Sequence, residues 1–226
     1  MSRRKVFLKT NASKEKYDAY IKALNAYNPN KLEENPQNPS QIYEYYSYVD
    51  ELYVWLKKAY SDDICVVCNE MRAILGHLAE YDPSNENNKN NLGKAYGHFR
   101  RLSIDTLKII CTSFDKEFDV WIRKHAMYDY RGIDADFFPK YVTLYHEAHR
   151  AYIDAQKSEN LGSDRENKII VKYYNVAKLY GEVYKHHVNE RRLYIEKITQ
   201  RFKVSKVVWV IATLLLTLIS VTNVIL

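Results

Sequence analysis

The chain has 226 residues, with 34 Lys and Arg against 28 Asp and Glu, three Cys, six Gly and five Pro. So few turn residues exclude a β-sandwich or barrel, which needs many tight turns. Three cysteines exclude a disulfide scaffold, so nothing marks an oxidising compartment. Tyrosine is abundant at 21 residues, and no single Tyr is assigned a role on abundance alone.

Helical spacing dominates from the start. In Ser13 to Tyr27, residues Tyr17, Tyr20, Ile21, Leu24 and Tyr27 recur every three or four positions. Residues 28–40 read as a Pro- and Asn-rich loop. A second helix follows over Gln41 to Tyr60, carrying Ile42, Tyr45, Tyr46, Val49, Leu52 and Leu56. Ser61 with Asp62 and Asp63 predicts an N-cap with acids in the first turn, and the third helix then runs to about Tyr81. After a polar turn, Asn91 to about Tyr130 is proline-free and predicts a helix of ~60 Å. Asp134 to Pro139 is expected to break the pattern. Lys140 to Asn160 is expected to be helical and to stop at Gly162, with Ser163 or Asp164 capping the next helix. From Ile169 to Phe202 the 3–4 spacing continues, interrupted only by Gly181.

Val207 to Leu226 (VVWVIATLLLTLISVTNVIL) is a 20-residue run without charge. It is long enough to cross a bilayer as a helix. Its position excludes a signal peptide. The preceding Glu190 to Lys206 carries six basic residues against Glu190 and Glu196, a local charge of +4. That predicts a cytoplasmic domain, a single pass through the inner (plasma) membrane, and tail-anchored, post-translational insertion. With Arg3, Arg4 and Lys5 set aside as well, the body of the chain carries -1 of the total +6. The basic excess therefore suits membrane headgroups before nucleic acid. The expected fold class is all-α. Residues 1–163 form a cytosolic helical bundle with a long αα-hairpin, 164–206 a basic neck helix, and 207–226 one C-terminal transmembrane helix. Such a neck either transmits tilt from the domain to the span or merely packs on the domain, with a hinge near Val204.

The hairpin of the third and fourth helices gathers ionisable groups. In an antiparallel pair, facing residues share a constant index sum. That rule sets Gly76 opposite Gly97, Glu80 opposite Lys94 and His77 opposite His98. Two facing glycines predict a close helix approach. Lys94, His98, Arg101, Asp105 and Lys108 share one face of the fourth helix, while Glu70 and His77 share one of the third, with Arg72 near its edge. One reading is an anion site built from Arg72, His77, Lys94, His98, Arg101 and Lys108. The other is an internal network of Glu80–Lys94 and Glu70–Arg101 pairs with the histidines between them.

Cys65-Val-Val-Cys68 lacks the second cysteine pair of a four-thiolate zinc site and a preceding strand, so it reads as buried small residues on a helix. His146-Glu-Ala-His149 lacks the spacing of H-E-x-x-H peptidases and reads as a surface stripe. No P-loop, dinucleotide turn or nucleophile elbow is present, and neither a metal nor a cofactor is expected. Within the hydrophobic run, Trp209, Thr213, Thr217, Ser220 and Asn223 recur at 3–4 spacing. Thr213, Thr217, Ser220 and Asn223 are the expected pore-lining or helix-packing positions, since several copies would be needed to enclose a pathway.

Two resemblances and one Tyr-rich stretch bear on function. Arg72 and His77 fit Arg-x4-His, similar to the ribonuclease motif of higher-eukaryote-and-prokaryote nucleotide-binding helical domains. Ala73 stands where that family usually has a polar residue. The Tyr-rich stretch Tyr43, Tyr45, Tyr46 and Tyr48 would suit a tail-anchored adaptor as a docking surface, although a Tyr-rich helix is more often core. The hairpin pattern E-x-R-x-x-L-x-H-L (Glu70 to Leu78) with N-L-x-K-A-x-x-H-x-R-R-x-x-x-D-x-x-K (Asn91 to Lys108), before one hydrophobic segment, resembles the single-span membrane channel effectors of bacterial anti-phage defence, the Hailong effector among them. That resemblance implies a homo-oligomeric, tetrameric ion channel. It also implies gating by an oligonucleotide or cyclic nucleotide from a nucleotidyltransferase partner, and depolarisation of the cell as the outcome.

Overall fold

The computed structural model describes residues 14–29, 35–60, 64–86, 88–125, 136–162, 166–188 and 210–211. Among them the fold is all-α, with six helices: α1 (Lys14–Ala26), α2 (Pro39–Tyr60), α3 (Cys65–Ala79), α4 (Asn91–His125), α5 (Phe137–Leu161) and α6 (Glu166–His187). No helix among the described residues is long and apolar enough to cross a membrane. The expected span lies outside the described residues, except for the helical pair Val210 and Ile211. The expected neck beyond residue 188 also lies outside them.

Three helix starts differ from expectation, each for a local reason. α2 begins at Pro39, not Gln41. Asn38 Oδ1 accepts the Gln41 N–H at 3.2 Å, and Gln41 Oε1 accepts the Gln37 N–H at 2.6 Å. Asn38 thus caps the third helical N–H, and the Gln41 side chain reaches back past it to the Gln37 N–H, with Pro39 at a first-turn position where its missing N–H costs nothing. α3 starts at Cys65 behind Ile64, which gives no side-chain cap, while residues 61–63 lie outside the described residues. α5 starts at Phe137, so the expected break at Pro139 falls inside its first turn, where proline is tolerated. Gly162 ends α5 as expected. Its φ of 58° is left-handed, and its N–H bonds to the Glu159 carbonyl at 3.1 Å.

α4 is the spine. It packs against α2, α3, α5 and α6, while α1 closes over α2 and α6. Two antiparallel hairpins, α3–α4 and α5–α6, supply the most extensive contacts. α6 (Glu166–His187) is buried over much of its length against α1, α4 and α5, so the first part of the expected neck is a core element of the bundle.

The centre of the core is aromatic. Phe114 on α4 has its ring centroid 5.1 Å from Tyr20, 5.7 Å from Trp55, 5.3 Å from Phe118 and 5.2 Å from Tyr184. One side chain thus joins α1, α2, α4 and α6, with pairs at separations that favour edge and offset contacts. Phe114→Ala should lower unfolding stability by about 3–5 kcal/mol, read as a reduced urea midpoint of the α-helical circular dichroism signal with the slope unchanged.

Candidate functional site

The hairpin brings the predicted ionisable residues together, but mostly onto each other. His98 Nδ1 sits 2.7 Å from Glu70 Oε2, and both side chains are about three-quarters or more buried. The His98 ring also stacks on His77, with centroids 5.2 Å apart and planes 24° apart. The facing of His77 and His98 is therefore observed. His98 in fact lies between Glu70 and His77, which are seven residues apart on α3. The expected Glu70–Arg101 and Glu80–Lys94 pairs do not form. Glu80, Lys94 and Arg101 are exposed, and neither Lys94 nor Arg101 makes an ion pair among the described residues.

Lys108 is committed to a carboxylate on α5. Its Nζ lies 2.8 Å from both Glu159 oxygens, and Glu159 Oε2 also accepts the Tyr173 hydroxyl of α6 at 2.6 Å. One charged triad thereby joins α4, α5 and α6. Arg72 is exposed, with Nη1 3.5 Å from Asn69 Oδ1. Of the six residues expected to bind an anion, His98 and Lys108 carry carboxylate partners and His77 is stacked. Arg72, Lys94 and Arg101 are the exposed cations. Asp105, half-buried on the same stretch of α4, has its carboxyl raised above the ordinary range by burial and then by the charge of Glu70, while Lys108 opposes the shift.

Gly76 and Gly97 do not mark a close approach. A Cβ placed on either glycine would meet nothing within 4 Å, so the expected packing reason is absent. The buried reading of the Cys-x-x-Cys pair is also corrected: Cys65 is exposed and Cys68 only partly covered, while Cys111 alone is buried. The Tyr-rich stretch on α2 divides between core and surface. Tyr45 is buried, Tyr43 is exposed, and Tyr46 and Tyr48 are half-buried. Thr213, Thr217, Ser220 and Asn223 lie outside the described residues.

Two clusters escaped the sequence reading. Asp115 Oδ1 receives His149 Nδ1 at 2.7 Å, the Tyr180 hydroxyl at 2.7 Å and the Tyr145 hydroxyl at 3.3 Å. His149 is therefore more than a surface residue: it closes α5 onto α4. The recurrence of His149, Tyr145 and Tyr180 along α5 and α6 was visible in sequence, but the acceptor on another helix was not. At the end of α6, His187 Nδ1 lies 2.8 Å from the Tyr141 hydroxyl, and its Nε2 lies 3.9 Å from Glu117. Both His187 and Glu117 are almost wholly covered. Among the described residues, no group of three or more His, Cys, Asp or Glu is placed to hold a metal ion. No protein-family model, curated protein or solved structure matches the chain.

The raised Asp105 carboxyl gives a signed expectation. Its folded value lies above the unfolded one, so its contribution to stability is present below the ordinary Asp range and is lost as pH rises through the folded value. Asp105→Asn should therefore stabilise the fold at pH 7. The gain should vanish below the ordinary Asp range. Urea midpoints of both proteins at pH 7 and pH 3.5 check this.

Proposed function

We propose that the chain is a single-span membrane protein whose helical domain, on the cytoplasmic side, controls a pathway formed by several copies of 207–226. The observation that carries this reading is the order of features along one stretch of chain. A core-packed α6 is followed by a segment of charge +4 and then by 20 residues without charge. A polypeptide with that order is oriented by its basic flank and has its tail coupled to a folded domain. Thr213, Thr217, Ser220 and Asn223 would face the interior of a homo-oligomer, favoured here as a tetramer, because polar groups in a span turn away from lipid.

The signal that moves the assembly is proposed to be anionic and oligonucleotide-like. Arg72, Lys94 and Arg101 are the side chains exposed to meet it. His98 and Lys108 would have to release Glu70 and Glu159 to join them, which links ligand capture to the packing of α3, α5 and α6. Such a ligand gates only through a difference in affinity between two arrangements, and a swing from 1:99 to 99:1 needs a preference of ~10⁴-fold.

Purified full-length protein in a planar bilayer tests the proposal. Discrete currents are expected, altered by a nucleotide extract in the wild type but not in an Arg72→Ala/Lys94→Ala/Arg101→Ala variant. Replacing 207–226 by an unrelated oligo-leucine anchor should abolish the currents. Silence of the wild type in every condition, or undiminished current with the substitute anchor, would refute the channel.

A further inference from the structure

The two cysteines that open α3 are unequal in access and have different neighbours. Cys65 is exposed and has no partner among the described residues. Cys68 is partly covered, with its Sγ 3.3 Å from the Tyr53 hydroxyl on α2. Residues three apart on a helix have Cα atoms about 5 Å apart, inside the range that a disulfide spans. Their Cβ atoms lie about 5–6 Å apart, which is too far without local tightening. Inside a helix, that tightening would break the backbone ladder. Here the pair occupies the first turn, whose leading N–H groups have no acceptor within the helix. Ile64 before it is non-helical, with φ -88° and ψ 70°, and caps nothing. The hydrogen bond from the Cys68 N–H to the Ile64 carbonyl, at 3.1 Å, is the one that must stretch.

We propose that Cys65 and Cys68 are a redox-active dithiol that closes reversibly to an intrachain disulfide by exchange with a small-molecule disulfide. The Cys65 thiolate attacks one sulfur of the small disulfide and releases one thiolate, leaving a mixed disulfide on Cys65. The Cys68 thiol then gives up its proton and attacks the Cys65 sulfur, displacing the second thiolate. The two cysteines lose two electrons and two protons, and the small disulfide becomes two thiols. Closure pulls the Cys68 sulfur from the Tyr53 hydroxyl, so the oxidised form loosens a contact between α2 and α3. Buried Cys111 takes no part. This inference is independent of the membrane reading.

Full-length protein equilibrated in glutathione disulfide, acid-quenched, alkylated and digested with trypsin tests it. Cleavage after Lys58 and Arg72 places both cysteines in peptide 59–72, away from Cys111. The expected result is a peptide 59–72 lighter by two hydrogens and resistant to alkylation, restored by excess reduced glutathione, with monomers on a non-reducing gel. In Cys68→Ser, a glutathione adduct should accumulate on Cys65. Wild-type protein that keeps both thiols alkylatable, holds the adduct on Cys65, or forms disulfide-linked dimers would overturn the proposal. The wild-type readout does not depend on the variant folding.

Discussion

A core rich in tyrosine is governed by one constraint: each buried ring brings a hydroxyl that must find a partner. For several of these rings the partner lies on another helix, while the buried Tyr27 hydroxyl has no hydrogen-bond partner among the described residues. Tyr20 of α1 donates to the Ala177 carbonyl of α6 at 2.7 Å. Tyr180 and Tyr173 of α6 donate to Asp115 of α4 and Glu159 of α5. Tyr152 of α5 pairs with Thr112 of α4 at 2.6 Å, and Tyr141 of α5 pairs with His187 of α6. Ring area supplies non-directional burial, and the hydroxyls supply register. A bundle of leucines would tolerate a slipped helix far better, because no polar atom would be stranded by the slip. Burial raises Tyr20, Tyr173 and Tyr180 above the ordinary phenol range, with the nearby carboxylates adding to the shift at Tyr173 and Tyr180. Their neutral, donating form is thereby held.

The same principle explains the charged face of the hairpin. A lysine or histidine that is half-covered loses hydration and needs a carboxylate in return. Glu70 and Glu159 meet that need for His98 and Lys108. The unpaired cations are those that stay wet, Arg72, Lys94 and Arg101. The hairpin face is thus sorted by exposure: the covered members hold helices together, and the exposed members face solvent.

How much was legible in the sequence follows from the range of each interaction. Apolar spacing is a local signal, and it placed all six helices and the stop at Gly162. The start of α2 was not legible because its cap depends on side-chain geometry. Asn38 caps Gln41, and Gln41 reaches back to Gln37, around a Pro39 that reads as loop in a proline-rich stretch. The stacked His77 and His98 followed from antiparallel register. The Glu70 contact did not, because a long side chain reaches a partner that the index sum assigns elsewhere. Glu159 lies 51 residues from Lys108 and His149 lies 34 from Asp115, and one sequence carries no record of such long-range pairing. The glycine inference failed because open space and close contact leave the same letter.

Both ends of α6 are tethered by polar contacts. Glu166 in its first turn meets Arg100 of α4 at 3.0 Å, and His187 at its last turn is enclosed by Tyr141, Trp121 and Glu117. The helix is therefore fixed in length as well as in place, like a rod clamped at two points. One extra residue between those clamps would advance the far end by about 1.5 Å and turn it by a quarter of a revolution or slightly more. One anchorage would then have to fail. The spacing from Glu166 to His187 behaves as a gauge set by the rest of the bundle, and length changes in this helix should be tolerated far less than substitutions on its outer side.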